Sequence, residues 1–358
     1  MKTPRIAITK QDRKAQVLQA VQAIQRGDAA VLPTETVYGF AMRPDLPTAV
    51  ERVQAIKGRA QDKVFTFHLA DKKDADALVA MTDPRVQRLM ARYWPGPLTL
   101  VLPAHGGGDK GVRMPANDFT REVIRATGPL WMTSVNRSGE PPLCDPAAIE
   151  AQFGSELAIL CDDGVSPLGN ASTVVRCTGP DLEILREGIL STREVLQTAA
   201  RHIVFVCTGN TCRSPMAEAL ARRDLAAALQ TAPDRLAARG ILFHSAGTGT
   251  IDGLAASEGS MLAMHELGVD LGEHQSRAAS RELLQRADHI FVLASSHLRA
   301  VRSMLPEAAS KTALLDPTGA DIADPYGGDL ADYRRARDQI AKAVASRCTE
   351  WQLLLAKG

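Results

Sequence analysis

Apolar residues recur at helix spacing through residues 11–26, where Val17, Leu18, Val21 and Ile24 fall on one side of a predicted helix. Gly27 ends the pattern, and the run AAVLP that follows reads as a short buried strand. Helix-like and strand-like segments alternate from there on, which predicts an α/β architecture. A second start is visible near residue 200. Ser191 and Glu194 have the spacing of a capping box, so TREVLQTAAR reads as a connecting helix. The β-branched run HIVFV then enters a loop with two cysteines and a glycine, and PMAEALARR continues as a helix with Pro215 near its first turn. A fresh strand–loop–helix unit is how a new α/β domain begins. Two domains are therefore expected, 1–198 with the connecting helix and 199–358. HGGGDKG at 105–111 reads as a surface loop.

Composition narrows the setting. A chain of 358 residues is long for one compact domain and comfortable for two. Lysine and arginine (42) nearly cancel aspartate and glutamate (41), which argues against a generally basic nucleic-acid binder. Aromatic residues make up 4%, too few for a stacking platform, so direct RNA binding is not expected. The six cysteines show neither a disulfide framework nor a CxxC metal pair, and no resident metal is expected. MKTPRIAITKQDRK lacks the apolar core of a signal peptide, and no apolar run approaches the ~20 residues of a membrane span. The expectation is a cytoplasmic protein.

The cysteine loop carries the sharpest chemistry. In VFVCTGNTCRSPMAEALARR, five residues separate Cys207 from Arg213, and Ser214 follows. Backbone N–H groups of a tight loop at a helix N-terminus bind a phosphoryl dianion. Arg213 adds a planar two-pronged donor. The same positive field favours the nucleophilic thiolate at Cys207. Ser214 is placed to donate to that sulfur, while Gly209 permits unusual backbone angles and Asn210 braces them. Thr208, Thr211 and Cys212 complete the loop. Cys212 is either a small loop residue or a partner of Cys207 in a protective disulfide. A leaving group also needs a proton, and DPTGADIADPYGGD offers two Asp-Pro pairs.

With CTGNTCRSPMAEA, HSAGT at 244–248, ELGVDLGEHQSR at 266–277 and ADPYGGDLADYRRARDQI at 323–340, residues 201–358 resemble the low-molecular-weight protein phosphatase family. The resemblance implies a parallel α/β sandwich that needs no cofactor. It implies Cys207, Arg213 and Asp324 as the catalytic set, because Tyr326 follows Pro325 as in the family's aspartate–proline–aromatic loop. Asp316 has Pro317 but no aromatic residue and reads as a loop aspartate, and His274 and Arg277 read as braces of the fold. Thr211 stands where the phosphotyrosine enzymes of the family usually carry a bulky aliphatic residue. The run resembles the bacterial protein-arginine phosphatases, which implies a phosphoarginine protein as substrate, with phosphotyrosine the alternative.

Residues 1–190 contain no GxxxxGK and no GxGxxG. Their polar clusters are LPTETVYGF at 32–40, KGRAQDKVFTFH at 57–68, WPGPLTLVLP at 94–103, VRMP at 112–115, TSVNRSG at 133–139, NASTVVR at 170–176 and LREG at 185–188. Hydroxyls and cations at strand ends suit a pocket for a phosphorylated, amino-acid-like ligand. In this order the clusters resemble the YrdC/Sua5 family of threonylcarbamoyl-AMP synthases, which implies a twisted mixed α/β sheet around a basic cleft. The implied reaction joins L-threonine, bicarbonate and ATP, with Mg²⁺ on the triphosphate, and a tRNA-modifying transferase accepts the adenylate. Carried over, Lys57, Arg59 and Lys63 face the ATP phosphates, and Ser134, Asn136 and Arg186 hold the nucleotide. Thr36, His68 and Ser172 hold threonine, with Arg113 near its carboxylate or the carbamoyl group. The alternative is a phosphotyrosine phosphatase fused to a non-catalytic nucleotide- or RNA-binding module.

Overall fold

A computed structural model of the chain describes residues 5–58 and 65–356. It divides into two compact units, the first ending at Ala199 and the second beginning at Ala200.

The first unit is built on ten strands: β1 (Arg5–Ala7), β2 (Ala30–Leu32), β3 (Gly39–Met42), β4 (Thr66–His68), β5 (Leu98–Pro103), β6 (Asp109–Arg113), β7 (Leu130–Ser134), β8 (Ile159–Asp162), β9 (Thr173–Arg176) and β10 (Glu183–Arg186). They form one mixed sheet in the order β1-β8-β2-β3-β7-β4-β6-β5-β9-β10. The central strands β2 and β3 are buried throughout, as strands covered on both faces must be. Alternate residues supply two separate cores: Ala30 and Leu32 pack with Ile24, Phe119 and Val123, whereas Val31 packs with Phe40, Val53 and Phe153.

Three local expectations are refined. The first helix, Arg13–Gln25, buries Gln16, Ala20, Val21, Ala23 and Ile24, while Leu18 is 56% exposed. Gln16 replaces an apolar contact by donating to the Ala7 carbonyl (2.6 Å) and accepting from the Thr9 amide (3.1 Å). The glycine-rich stretch 105–111 is a loop only as far as Gly108. Its last residues open β6, which pairs antiparallel with β5, because the loop is the turn of a hairpin. The helix Thr192–Ala199 carries the expected capping box, with Glu194 accepting from the Ser191 amide (2.9 Å) and Ser191 Oγ accepting from the Glu194 amide (3.3 Å). It buries Val195 and Ala199 against Val86 and Leu89 of the helix Pro84–Tyr93, so it belongs to the first unit's core.

The second unit is a four-stranded, all-parallel sheet of β11 (Arg201–Cys207), β12 (Ile241–Gly247), β13 (His289–Val292) and β14 (Thr312–Leu314), in the order β12-β11-β13-β14. Along β11 the side chains alternate. Ile203, Phe205 and Cys207 enter one core with the helices Arg213–Ala228 and Leu330–Ala356, and Val204 and Val206 enter the other. Helices thus cover both faces, and the sheet's carboxyl ends are left for the site. Among the described residues no helix is long and apolar enough to cross a membrane.

Trp351, 1% exposed, packs its ring against Phe205, Phe243 and Phe291 from the adjacent strands β11, β12 and β13. Replacing it with alanine is expected to cost about 3–5 kcal/mol of the second unit's stability. Denaturant unfolding followed by circular dichroism checks this, and a loss below about 1 kcal/mol would contradict the packing described.

Candidate active sites

In the first unit, strand ends and the segments after them bring polar groups to one cleft of about 230 Å³, lined in part by His68, Arg113, Ser134, Ser172 and Arg186. Arg113, at the end of β6, is 4% exposed. Its guanidinium donates to Glu35 (2.5 Å), Thr36 Oγ1 (2.8 Å) and the Gly96 carbonyl (3.2 Å). Glu35 also accepts from the Ala116 amide (2.9 Å). A buried cation needs such a partner, because desolvation otherwise outweighs its attractions. Arg186, from β10, donates instead to the Ser172 carbonyl (2.8 Å) and hydroxyl (3.2 Å). Burial, and next the Arg113 cation, draw its pKa below the ordinary arginine value, but an arginine stays charged. Ser172 Oγ also meets Thr99 Oγ1 at 2.9 Å. Burial, reinforced by Arg113, pushes His68 down to about 3, so the cleft carries a neutral imidazole, with Nδ1 3.2 Å from the Thr66 carbonyl. The lining is a cationic wall with hydroxyls and a neutral ring, suited to an anion with polar substituents.

Other expected residues sit differently. Lys57, expected to face phosphates, is 3% exposed. Its ammonium donates to the Ser134 carbonyl (2.5 Å), the Asn136 carbonyl (3.0 Å) and Asn136 Oδ1 (2.9 Å). These contacts tie Lys57 to the turn after β7. Asn136 is held too, accepting from Ser134 Oγ (2.6 Å) and donating to the Arg137 and Glu140 carbonyls. Thr36, fully buried, orients Arg113 rather than lining the cleft. Arg59 and Lys63 lie outside the described residues. Glu35, Thr34 and Thr99 were missed. The signal for Glu35 was an acidic residue between two threonines just after a buried strand, and for Thr99 a hydroxyl inside the apolar run LTLVLP.

In the second unit the loop Cys207–Arg213 joins β11 to the helix Arg213–Ala228, whose N-terminus is capped by no side chain. Cys207 Sγ lies 3.0 Å from Ser214 Oγ and accepts from the Asn210 amide at 3.2 Å. Asn210 is fully buried at φ 52°, a conformation that non-glycine side chains seldom adopt. Its side chain donates to Ser214 Oγ (2.9 Å) and accepts from the Arg277 amide (2.7 Å), and His274 Nε2 reaches its carbonyl at 2.7 Å. His274 and Arg277 are therefore braces of the loop. Gly247, at the end of β12, is required here, since a Cβ would stand 2.5 Å from the Thr208 carbonyl oxygen and 3.0 Å from the Asn210 nitrogen.

Arg213 donates to the Ile322 carbonyl (3.2 Å) and to Asp324 (2.5 Å). Its Nε is buried with no partner among the described residues. Asp324, half exposed, also accepts from the Tyr326 amide (3.2 Å). Asp316 is used otherwise, accepting from the amide and hydroxyl of Thr318 in its own turn. The mouth, a cavity of about 620 Å³, is lined by Cys207, Thr208, Gly209, Thr211, Cys212, Arg213 and Asp324, with Ile251, Leu254 and Tyr326 at its exposed rim. Cys212 turns its sulfur to Ser257 Oγ (3.2 Å) and Tyr333 Oη (3.8 Å), and both loop cysteines are free thiols. A thiol, a loop of backbone amides with an arginine, and a carboxyl group here share one cavity.

For His68 the proton linkage has a definite sign. Its folded pKa lies below the unfolded value, so the unfolded chain binds the extra proton between about pH 6.5 and 3. The histidine's contribution is therefore intact above pH 6.5 and is lost as pH falls through that window. Relative to the wild type, His68→Gln is expected to flatten the decline of stability with acid. Denaturant unfolding at matched pH values measures it, and equal slopes for the two proteins would refute a buried neutral His68.

Two family models match the chain. That of Sua5, YciO and YrdC, described as telomere recombination, matches residues 22–188. That of low molecular weight phosphotyrosine protein phosphatase matches residues 202–353. A putative threonylcarbamoyl-AMP synthase of Mycobacterium tuberculosis (strain H37Rv) is 31% identical over 198 residues, 52% of this chain and 90% of its own length. A protein-arginine-phosphatase of Geobacillus stearothermophilus is 36% identical over 146 residues, 40% of this chain and 90% of its own length. A low molecular weight protein-tyrosine-phosphatase of Acinetobacter johnsonii is 32% identical over 152 residues, 42% of this chain and 95% of its own length.

Proposed function

We propose that this chain, which belongs through residues 22–188 to the Sua5/YciO/YrdC family and through residues 202–353 to the low-molecular-weight phosphatase family, is a bifunctional enzyme. Its first unit makes L-threonylcarbamoyladenylate from L-threonine, bicarbonate and ATP. Its second unit hydrolyses protein phosphoarginine.

For the synthase, the convergence of Arg113, Arg186, His68 and Ser172 on one cleft supports the reading. Joining a carbamate to the α-phosphate asks the protein for orientation and charge neutralisation. Arg186 faces the nucleotide and Arg113, fixed by Glu35 and Thr36, faces the carboxylate or the carbamoyl oxygen. Ser172 and the neutral His68 hold threonine. Ser134 and Asn136, set by Lys57, contact the nucleotide. Mg²⁺ enters with ATP as part of the substrate. The adenylate passes to a transferase that modifies tRNA.

For the phosphatase, Cys207 with Arg213 and Asp324 in one cavity carries the reading. The Cys207 thiolate attacks phosphorus, forming the S–P bond as the bond to the leaving nitrogen breaks, and Asp324 gives that nitrogen its proton. Water then attacks the phospho-cysteine, Asp324 takes a proton back, and inorganic phosphate leaves with the thiolate restored. The substrate dianion displaces Asp324 from Arg213, whose Nε supplies a further donor. Thr211 lines the same cavity, and its hydroxyl suits a guanidinium leaving group better than an aliphatic wall does.

Phosphate release from phosphoarginine-protein and phosphotyrosine-peptide, beside a Cys207→Ser control, tests the second activity. Preference for phosphoarginine with a silent control is expected. Preference for phosphotyrosine would keep the loop chemistry and remove the role given to Thr211, whereas an active control would remove the nucleophile. For the first unit, pyrophosphate release that requires both threonine and bicarbonate is expected, falling roughly 10- to 100-fold in Arg186→Ala through loss of charge-assisted bonds. Nucleotide binding without threonine-dependent turnover would make the unit a binding module.

A further inference from the structure

His297 is used by none of the steps above, yet it is 3% exposed on the first turn of the helix Ser295–Met304, against the phosphate loop. Its Nε2 lies 2.9 Å from Thr208 Oγ1, the side chain next to the nucleophile. Its Nδ1 is buried and has no partner among the described residues. The start of its helix is tied to the loop that carries Asp324: the amide and hydroxyl of Ser295 both donate to Asp321 (2.7 Å each). Ile322 donates to the Leu293 carbonyl at 2.9 Å and accepts from Arg213. One short segment thus touches the nucleophile loop through His297 and the acid loop through Ser295.

An unpartnered buried ring nitrogen costs stability, and a leucine of similar size would avoid that cost. A group kept at such a cost is better explained by what it holds than by packing. Burial, and next the Arg213 cation, push His297 down to about 4, against the weaker pull of Asp324 and Asp321. It is therefore neutral near pH 7, and assigning its one proton to Nε2 makes it the donor to Thr208 while leaving only a lone pair unmet. The Thr208 carbonyl accepts from the Gly249 amide at 3.0 Å, so side chain and backbone of this loop residue are both fixed.

Resting on the phosphatase reading, we propose that His297 is a positioning residue, which through Thr208 holds the first turn of the phosphate loop in its anion-binding shape. It acts on the affinity of the loop for a dianion rather than on the fold.

The test uses the full chain with p-nitrophenyl phosphate as substrate and inorganic phosphate as inhibitor and calorimetric ligand. His297→Leu is expected to lower kcat/KM and weaken phosphate binding by about tenfold each, the kinetic equivalent of one buried hydrogen bond. Its unfolding midpoint should be unchanged or raised. His297→Gln, which can keep a donor near the Nε2 position, should recover most of the loss. Thr208→Val should show the same defect, and the double variant should be no worse than either single one. Active wild type with unaltered phosphate affinity in His297→Leu, additive losses in the double variant, or a lowered midpoint that accounts for the loss would each overturn the inference while leaving the phosphatase reading intact. A wild type that neither turns over the ester nor binds phosphate would remove both.

Discussion

Asn210 holds a left-handed backbone conformation, fully buried, midway between Cys207 and Arg213. That turn aims the Asn210 amide at Cys207 Sγ, and it persists because the Asn210 side chain and carbonyl are bound to Ser214, Arg277 and His274. Strained backbone survives only where its surroundings over-determine it. Three distant parts of the second unit do so: the end of β12 through Gly247, the segment 274–277, and the helix that begins at Arg213. All three meet at the carboxyl ends of the sheet.

The two units handle a buried arginine in related ways. Arg113 is 4% exposed and Arg213 5% exposed, and each is paired at 2.5 Å with a carboxylate. The difference lies in the carboxylate. Glu35 is itself mostly buried and bound to a backbone amide, so Arg113 is a fixed cation. Asp324 is half exposed on a loop, so its bond to Arg213 is one that an entering dianion can replace. A fixed cation suits orientation of a substrate; an exchangeable one suits the proton transfer proposed for Asp324, which requires the carboxyl group to leave the cation.

Much of both folds was legible in the chain's pattern. The strand Arg201–Cys207, the loop and the helix from Arg213 read directly from β-branched, glycine and proline positions, since a single contiguous segment of about 20 residues contains Cys207, the loop and Arg213. The capping box at Ser191 and the strand at Ala30–Leu32 were legible for the same reason: their determinants are local. Leu18 was misleading because periodicity marks a face without saying how wide the buried stripe is, and the polar Gln16 is buried through its hydrogen bonds. The strand character of Asp109–Gly111 was hidden by glycines whose turn belongs to a hairpin.

The sequence by itself determined which residues carry charge and nucleophilic chemistry, and the order in which loops deliver them. Only the tertiary structure decided how those groups are spent. It turned Lys57 onto Ser134 and Asn136, 77 and 79 residues away, set Glu35 against Arg113 across 78, and brought His297 to Thr208 across 89. Each partnership is imposed by burial. Once a charge or polar atom leaves water it must be satisfied by whatever the packed fold places beside it, and no local pattern records that neighbour.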